Sequence, residues 1–407
     1  MITSCPTRVV YVNHTGAVSG AERVLINMVR GLDRSRFEVI AICPVEGDLG
    51  RMLLAEGVRC APLPAVRARF DWRPSQLWKA FKSLLRAIVS LHKTLAKIDP
   101  DIIHANTLRA GIVVSAASIG TGRKVVWHIH DILPPHQLSA LIRLSALMLR
   151  PTSIVAVSDC AARAFCGPFS FQGRISTIHN GVDLSHFPHK GAGSSVMRQR
   201  LRVAEDAFLV CAIGQICERK GLIELVAAFE KACAERPQMH LVIAGNVAFE
   251  HERNYFNVLR VAASAPQIAG KVHFTGHLPD VSELLRAADL LVLNSREEPF
   301  GLVLVEAMSS GTAVLAARVG GIPEIVKDEE NGWLVERGAT EELAKKLVEL
   351  SRNRGLLEQV AEKARRVTCP RFSIERFHTQ LHGLYAELMP VSRRFIGRVE
   401  SMSQSQS

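Results

Sequence analysis

The sequence lacks the features that mark several large classes of protein. It contains no apolar run of about 18 residues, the length that crosses a bilayer, and its first residues lack the charged and apolar segments of a secretory leader. Its nine cysteines form neither a CxxC pair nor a zinc-ligand spacing. We therefore expect a cytoplasmic protein with reduced thiols, without a transmembrane helix and without a metal site.

Aromatic residues and several well-known motifs are also scarce or absent. The chain has 16 Phe, 4 Trp and 3 Tyr among 407 residues, and no basic stretch is interleaved with residues that stack on bases. The net charge of +11 favours an anionic partner. Because stacking residues are few, nucleic acid is a weaker choice than a phosphorylated substrate or an acidic membrane face. The loop after the first predicted strand contains no GxGxxG, which argues against a dinucleotide oxidoreductase, and neither HExxH nor a P-loop appears in the sequence.

Short apolar runs alternate with longer helical patterns along the chain. The runs are rich in Val and Ile and do not alternate with polar residues, which is typical of parallel strands covered on both faces. We predict strands over 8–12, 38–42, 101–104, 124–129, 153–157 and 174–178, and a second series over 208–214, 239–245, 271–274, 289–294 and 312–316. We predict helices over 21–32, 76–96, 221–235, 281–287, 302–310, 340–366 and 374–388.

This alternation predicts an α/β fold of two facing doubly wound, Rossmann-like domains. A Gly- and Ser-rich segment at 187–195 divides an N-terminal domain, residues 1–187, from a second domain, residues 195–370. The polar tail at 391–407 is predicted to be disordered. Because ligands bind at the carboxyl ends of parallel strands, we expect the loops after the strands to line a cleft between the domains.

The loop and helix after the fourth strand of the second series carry the strongest ligand signal. Gly301 lets the backbone approach a ligand, and the first amides of the helix, those of Leu302 and Val303, can bind a phosphate. Glu306 stands among apolar residues, where a carboxylate needs donors such as the two hydroxyls of a ribose. Glu298, at the loop mouth, can accept from another sugar hydroxyl. Alternatively, Glu298 caps the helix and Glu306 pairs with an arginine.

Two other loops of the second domain carry weaker signals. Arg219 and Lys220 stand where the helix at 221–235 begins, and cations there oppose the helix dipole. A diphosphate bound between the two cations would offset their repulsion by the helix dipole, so we predict that they clamp a diphosphate. The alternative is that both are solvated surface charges. The backbone around Leu278 follows another strand and can meet a base edge. The glycines at 320–321 form either a turn close to the ligand or a plain turn.

The first domain offers a histidine at the end of a predicted strand. His130 and Asp131 follow the strand at 124–129, where the sheet meets the expected cleft. A core histidine and a capping aspartate are the alternatives. Together with the phosphate loops and the sugar-binding carboxylates of the second domain, these residues favour a nucleoside-diphosphate sugar as the ligand.

The order and spacing of these motifs over residues 8–388 resemble a family-4 glycosyltransferase with the GT-B fold. The matching motifs are Glu298 and Glu306 at the spacing Glu-x7-Glu, Lys220-Gly221, Gly320-Gly-Ile-Pro-Glu324, Asn331-Gly332, Asn180-Gly-Val-Asp183, Ser19-Gly-Ala-Glu22 and His130-Asp131. Two positions depart from the pattern. Gln215 stands where the family usually has Arg, and Ser19 stands where it usually has Gly.

The resemblance implies a retaining transfer from a nucleotide sugar, with a UDP-sugar favoured, and without a bound metal or other cofactor. Lys220 and the amides of Leu302 and Val303 would hold the diphosphate. Arg219 would supply the charge of the arginine that the family usually carries nearby. Glu306 would bind the ribose.

The resemblance also assigns residues to the sugar, the base and the acceptor. Glu298 would bind the donor sugar, and His130 would lie beside that sugar near the acceptor, so these two are the expected catalytic residues. The amide of Gly20 would approach the phosphate, and the backbone near Leu278 would meet the base. The last helix, 371–390, would cross back to the first domain.

We therefore expect a glycosyltransferase that acts on a hydroxyl of a glycan or a lipid-linked acceptor in cell-envelope polysaccharide or glycolipid synthesis. The alternatives are a nucleotide-sugar isomerase or hydrolase of the same fold and a non-catalytic two-domain binding protein. Residues 66–97 hold eight Lys or Arg against one Asp, and apolar residues recur at helical spacing over 76–96. This pattern suits a helix on an anionic leaflet. Its alternative is an apolar stripe packed on the sheet, with the basic residues in water.

Overall fold

The computed structural model describes residues 6–63, 74–189 and 195–389. The strands are β1 Thr7–Val12, β2 Phe37–Cys43, β3 Arg59–Pro62, β4 Ile102–Ala105, β5 Lys124–Ile129, β6 Ser153–Ala156, β7 Ile175–Thr177, β8 Phe208–Ile213, β9 Met239–Ala244, β10 Val272–Gly276, β11 Leu290–Leu293, β12 Ala313–Ala317 and β13 Trp333–Val335. The α-helices are α1 Gly20–Arg30, α2 Asp48–Ala55, α3 Pro74–Ile98, α4 Leu108–Ala117, α5 Gln137–Leu149, α6 Asp159–Cys166, α7 Ser195–Leu201, α8 Leu222–Glu235, α9 Arg253–Ala262, α10 Ser282–Ala287, α11 Leu302–Ser309, α12 Ile322–Ile325, α13 Thr340–Ser351, α14 Arg354–Lys363 and α15 Ile374–Leu388.

The described residues divide into two compact units. One unit holds the residues up to Gly181 together with those from Phe377 onward, and the other spans Val182–Arg376. Each unit contains a parallel sheet flanked by helices, which confirms the predicted doubly wound α/β class. The predicted linker at 187–195 falls partly, and the predicted tail at 391–407 wholly, outside the described residues.

The sheet of the first unit has the strand order β3-β2-β1-β4-β5-β6-β7 in the described residues, and its neighbouring strands are parallel. The chain runs from β1 to one edge and then from β4 to the other. Right-handed crossovers therefore place α1 and α2 on one face and the helices from α3 to α6 on the other. Residues 9–12 of β1 are fully buried, which explains the unbroken apolar run.

The sheet of the second unit has the order β10-β9-β8-β11-β12-β13 in the described residues, again parallel. Its core packs α8 and α13 against the sheet, with Phe229 and Leu347 fully buried. The chain reverses direction across the sheet between β10 and β11, so the adjacent strands β8 and β11 form the switch point where doubly wound folds bind ligands. The candidate donor residues follow these two strands.

Three sequence predictions need correction. The sequence pattern missed β3, an edge strand that is only partly buried and ends at Pro62, and β13, which has three residues. The predicted helix over 340–366 is interrupted after Ser351. Asn353 caps α14 there, because its side chain accepts a hydrogen bond from the amide of Leu356 at 3.0 Å.

Helix α15 packs on the first unit, although it follows the second unit in the chain. The Tyr385 hydroxyl donates to the Tyr11 hydroxyl at 2.9 Å and lies 2.8 Å from His104 Nδ1. A ring nitrogen of His378 lies 2.8 Å from the Asn27 carbonyl at the end of α1. No helix in the described ranges is long and apolar enough to cross a membrane.

Candidate active site

The loops that leave the second sheet are tied to one another by backbone hydrogen bonds. The amide of Gly214 donates to Ala244, and that of Ile216 donates to Asn246, each at 2.9 Å. The loop after β9 is held in turn to the end of β10, because Gly245 donates to Gly276 at 2.9 Å. The carboxyl edge of this sheet is therefore a connected framework that can hold side chains in fixed positions.

Lys220 and Glu298 meet on this framework. Lys220 Nζ lies 2.5 Å from Glu298 Oε2, and the two side chains are 15% and 11% exposed. The Ser295 hydroxyl donates to the same carboxylate oxygen at 3.1 Å. The carbonyl of Glu298 also accepts a hydrogen bond from the amide of Gly321 at 2.9 Å, so the Gly-Gly turn fixes the Glu298 loop.

A glycine is required immediately after Lys220. Gly221 has φ +58°, and a side chain there would place its Cβ 2.2 Å from the carbonyl oxygen of Asn294. The Asn294 side chain donates to the Gly221 carbonyl at 2.9 Å. The turn that carries Lys220 is therefore clamped against the end of β11, and this contact brings Lys220 to Glu298.

Helix α11 begins beside Glu298. Gly301, with φ +103°, precedes its first turn, and Leu302 and Val303 are half-buried there. The first amides of an α-helix have no partner within the helix, and the first turn of α11 contains no acidic residue to offset its positive end. Glu306 lies one turn after Leu302 and is half-buried, which places the two on the same side of the helix.

The start of α8 differs from the prediction. The Tyr255 hydroxyl from α9 accepts hydrogen bonds from the amides of Leu222 and Ile223 at 2.9 and 3.2 Å. These two amides are thus engaged within the protein, so an anion at this end would be held by side chains. Of the two predicted cations, Lys220 turns toward Glu298 and Arg219 is exposed.

Gln215 stands where the family resemblance expects an arginine. Its amide nitrogen lies 2.7 and 2.9 Å from the two carboxylate oxygens of Glu252. Glu252 also accepts from the amides of Ala248 and Phe249, each at 3.2 Å. Gln215 therefore fastens the loop after β9 to the end of β8.

Leu278, near which the base is predicted to bind, lies in a different loop from Lys220 and Glu298. Leu278 is half-buried in the loop after β10, and its side chain offers only apolar contact. Asp280, two residues later, lies 3.3 Å from His186. Among the described residues, no three His, Cys, Asp or Glu side chains form a group that could hold a metal ion.

In the first unit, His130 follows β5 and joins a chain of polar side chains. Its Nε2 lies 3.2 Å from Asn106 Oδ1. The Asn106 amide nitrogen lies 3.1 Å from both Asn13 Oδ1 and the carbonyl of Ala21. The Asn13 amide nitrogen lies 3.1 Å from a carboxylate oxygen of Glu22. His130 is half-buried, and the three polar residues behind it are buried.

Two further histidines lie behind His130. His128 packs against it with ring centres 4.2 Å apart and ring planes tilted by 35°, and His128 Nδ1 lies 3.2 Å from His104 Nε2. Burial lowers the pKa of His104 and of His130 to about 3 and that of His128 well below its usual range. All three rings are therefore neutral near pH 7.

Gly20 is the first residue of α1, and it is exposed with open space around the position of a Cβ atom. The next carbonyl, that of Ala21, accepts from Asn106, so the start of α1 and His130 are linked through Asn106. Gly20 and His130 belong to the first unit, whereas the other predicted site residues belong to the second.

Sequence reasoning missed several members of these networks. Asn106 follows β4 in the segment His-Ala-Asn, just as His130 follows the neighbouring strand β5 in His-Ile-His. That pairing is a usable signal, because each strand is mainly apolar and is followed at once by a polar residue. Tyr255 and Glu252 gave no signal, since they lie on or before a helix that the sequence pattern did not predict.

The comparisons with known proteins agree with this architecture. A family model described as glycosyltransferase family 4 matches residues 18–186, and a model described as glycosyl transferases group 1 matches residues 194–367. The crystal structure of Anabaena HepE in complex with UDP and glucose is similar, with a TM-score of 0.80, 26% identity, and coverage of 93% of this chain and 99% of that one.

Two curated relatives illustrate the sequence similarity. The UDP-Gal:alpha-D-GlcNAc-diphosphoundecaprenol alpha-1,3-galactosyltransferase of Escherichia coli is 22% identical over 401 residues, which are 95% of this chain and 98% of that protein. The lipopolysaccharide core biosynthesis glycosyltransferase LpsE of Rhizobium meliloti is 30% identical over 192 residues, which are 47% of this chain and 54% of LpsE. The chain thus spans about half the length of LpsE and of two other curated relatives that it matches.

Proposed function

Because the chain belongs to the family-4 glycosyltransferases, we propose that it transfers a sugar from a nucleoside-diphosphate sugar to a hydroxyl group of a glycan or a lipid-linked acceptor. The observation that carries this proposal is the shielded pair of Lys220 and Glu298 beside the start of α11. A cation and a helix N-terminus can bind a diphosphate, and a carboxylate can accept a hydrogen bond from a sugar hydroxyl.

The donor is assigned to these groups by their charge. Lys220 and the first amides of α11, those of Leu302 and Val303, bind the diphosphate, and the exposed Arg219 adds positive charge near it. Glu306, one turn into the helix, accepts hydrogen bonds from the ribose hydroxyls. Glu298 accepts from a hydroxyl of the donor sugar.

In the proposed reaction, the bond between the anomeric carbon and the diphosphate oxygen breaks. A bond forms between that carbon and the acceptor oxygen, and the acceptor proton passes to the departing diphosphate. Lys220, Arg219 and the start of α11 stabilise the charge that develops on the leaving group. Attack from the face that the diphosphate leaves gives retention of configuration, in agreement with the family resemblance. His130 offers a neutral ring nitrogen to a hydroxyl of the substrates.

We propose a UDP-sugar as donor and an envelope glycan or glycolipid precursor as acceptor. The structures of HepE in complex with UDP and glucose and with UDP-glucose support the first assignment. The names of LpsE and the Escherichia coli galactosyltransferase refer to lipopolysaccharide and to a lipid diphosphate, and they support the second.

The helical face formed by α3, α4 and α5 supports a peripheral membrane contact. On α3, Leu91 and Leu95 are buried against the unit, whereas Trp78, Leu85 and Val89 are 57%, 50% and 47% exposed. Of the apolar positions that form the predicted stripe, Leu91 and Leu95 are thus buried, Leu84 and Ile88 are half-buried, and Leu85 faces solvent. Of the basic residues on this helix, Lys82, Arg86 and Lys93 are exposed, and the side chain of Lys79 lies outside the described residues.

Helix α5 adds a second exposed apolar stripe that the sequence reading did not single out. Leu141, Leu144 and Met148 are 60%, 45% and 74% exposed, and they recur at helical spacing. The helices α3, α4 and α5 pack in sequence on one face of the sheet and contain no Asp or Glu. We propose that this basic and apolar face binds an anionic leaflet near a lipid-linked acceptor.

The proposed activity is tested with the purified chain and a panel of labelled UDP-, GDP- and ADP-sugars. A thermal-shift screen first selects the donor, since ligand at 100 times its dissociation constant adds about 2.7 kcal/mol of apparent stability. The selected donor is then incubated with and without glycan and lipid acceptors. We expect a glycosylated product with retained anomeric configuration. Free sugar without acceptor would indicate a hydrolase, an altered nucleotide sugar an isomerase, and binding without turnover a binding protein.

A further inference from the structure

The polar chain behind His130 determines which ring nitrogen of that histidine carries the proton. The orientation of each amide in the chain is fixed by a neighbour that can only accept hydrogen bonds. Carbonyl and carboxylate oxygens are such neighbours, because they have no proton to donate. The donor and acceptor roles can therefore be assigned step by step from Glu22 to His130.

Two acceptors fix the orientation of the Asn13 side-chain amide. One end of its side-chain amide lies 2.8 Å from the carbonyl of Thr15 and 3.1 Å from a carboxylate oxygen of Glu22. Both neighbours accept only, so this end is the NH₂ group. The carbonyl end of Asn13 must then face Asn106.

Two acceptors likewise fix the orientation of the Asn106 side-chain amide. One end of its amide lies 3.1 Å from the carbonyl of Ala21 and 3.1 Å from the carbonyl end of Asn13. This end is therefore also the NH₂ group, and Asn106 Oδ1 faces His130 Nε2 at 3.2 Å. An amide oxygen accepts only, so Nε2 of His130 is the donor in this pair.

We infer that Asn106 is a positioning residue that holds His130 as the neutral ring with its proton on Nε2, and so leaves Nδ1 as a hydrogen-bond acceptor for a substrate hydroxyl. The role of Nδ1 toward a substrate hydroxyl rests on the proposed function, whereas the assignment of the proton does not. An acceptor at Nδ1 suits a hydroxyl of the donor sugar or of the acceptor, because each hydroxyl has one proton to donate.

The surroundings favour the neutral ring. The titratable groups around His130 are His128 on β5, His104 on β4, Glu22 on α1 and Asp131 next in the chain. Burial opposes a charge on any of the three rings, and a second charge on the neighbouring ring of His128 would add repulsion. Asn106 itself does not titrate, so its acceptor role does not change with pH.

The proton assignment is tested by NMR of the full chain with isotope-labelled histidine, where the spectrum of His130→Gln identifies the signals of His130. We expect a neutral ring protonated on Nε2 at neutral pH. A ring protonated on Nδ1, or a charged ring, would overturn the inference whether or not the protein transfers sugar. If the wild type gives the expected NMR result but transfers no sugar, that outcome would count against the proposed function alone.

The functional part is tested with substitutions of Asn106. Asn106→Leu keeps the size but removes the acceptor, and we expect kcat/KM to fall about tenfold or more. Asn106→Asp restores an acceptor and adds a negative charge, which raises the pKa of His130. Activity of this variant should then be lost on acidification at a higher pH than in the wild type, because a protonated Nδ1 cannot accept.

A matched control separates this effect from loss of stability. Ser115→Ala removes the acceptor of a different buried hydrogen bond in the same unit, the 2.8 Å bond from the indole of Trp127. This variant should lose stability without a change in the pH profile. Equal loss of activity at every pH in Asn106→Asp, or unchanged kcat/KM in a folded Asn106→Leu, would contradict the positioning role.

Discussion

Lys220 and Glu298 are 78 residues apart in the chain, and their Nζ and Oε2 atoms lie 2.5 Å apart in the fold. Both side chains are shielded from solvent, so each neutralises the charge of the other at the carboxyl edge of the second sheet. A diphosphate that binds Lys220 competes with Glu298 for the same ammonium group. In the proposed function, the pair would therefore couple the anionic part of the donor to the carboxylate that we assign to its sugar.

This relationship predicts different effects for the two partners. Lys220→Ala should lose about 2–4 kcal/mol of transition-state stabilisation, tens- to hundreds-fold in rate, because a charged contact with the diphosphate is removed. Glu298→Gln should keep the affinity for UDP, since Lys220 stays available, while transfer falls. Initial rates and titration calorimetry with UDP measure the two effects.

The control for Lys220 is Lys231→Ala. Lys231 pairs with Glu341 on the surface of the same unit, where both side chains are at least half exposed, so its loss should change neither rate nor affinity. Near-wild-type turnover in Lys220→Ala, with a donor shown to be used, would contradict the site assignment.

Glu306 is expected to recognise the ribose through its hydroxyls. Glu306→Ala should therefore lose most of the transfer activity, by about the same 2–4 kcal/mol. A sharper measurement compares the affinities for UDP and 2′-deoxy-UDP in both proteins. The wild type should bind the deoxynucleotide more weakly, and the variant should bind the two ligands alike. Equal preference in the two proteins would show that Glu306 does not contact that hydroxyl.

The part of the site that lies within one segment could be predicted from the sequence. The spacing of Glu298, Gly301 and Glu306 is local, because a loop followed by a helix fixes which backbone amides and side chains lie together. The contact of Lys220 with Glu298 could not be predicted in the same way. It depends on β8 and β11 being neighbours in the sheet, a choice of strand order that a run of Val and Ile does not contain.

The missed residues have the same physical origin. Tyr255 reaches the start of α8 from α9, and no local pattern near Leu222 indicates a partner 33 residues away. Gln215 departs from the family pattern, and its contact with Glu252 shows what it does in this fold. The strand series was predicted well because burial on both faces leaves a direct mark in the sequence. Edge strands such as β3 are only partly buried, and so they lack that mark.

Transfer activity should persist in excess EDTA. In the proposed function Lys220, Arg219 and the first amides of α11 stabilise the charge on the departing diphosphate, and they would replace the electrostatic stabilisation that a divalent ion gives in other enzymes. Rates are compared with EDTA, with added magnesium, and with neither. Abolition by the chelator together with recovery on adding magnesium would contradict this expectation.

Acidification should destabilise the first unit through its buried histidines. The pKa of His104 is lowered to about 3 by burial, whereas an unfolded histidine titrates near 6.5. Between these values the unfolded chain binds more protons, so the free energy of unfolding falls as the pH falls. From about pH 7 to about pH 5, one such histidine accounts for a loss of about 2 kcal/mol.

The measurement is denaturant unfolding at the two pH values for the wild type and for His104→Gln. The substitution lowers stability at both values, because it disturbs the contacts with Tyr385 and His128. The difference between the two pH values should nevertheless shrink by about 2 kcal/mol, since glutamine does not titrate. An unchanged difference would show that His104 is not held neutral in the folded protein.

The face of α3, α4 and α5 should bind anionic vesicles in a salt-sensitive way. Its basic residues contribute about 1 kcal/mol each near an anionic surface, and salt screens that attraction. The exposed apolar residues of α3 and α5 should add contact with the acyl boundary that salt does not weaken. We therefore expect co-sedimentation with anionic vesicles at low salt, reduced binding at high salt, and little binding to neutral vesicles.

Two sets of substitutions separate the charged and apolar parts of this contact. Neutralising Lys79, Lys82 and Arg86 together should remove most of the binding at low salt. Changing Leu141, Leu144 and Met148 to Ser should weaken the binding that remains at high salt, because these side chains are exposed and their replacement leaves the core intact. A matched control neutralises Arg352, Arg365 and Arg366, exposed arginines of the second unit, and should leave binding unchanged. If the wild type stays in the supernatant with anionic vesicles at low salt, or if the first triple variant binds as well as the wild type, this face is not the membrane contact.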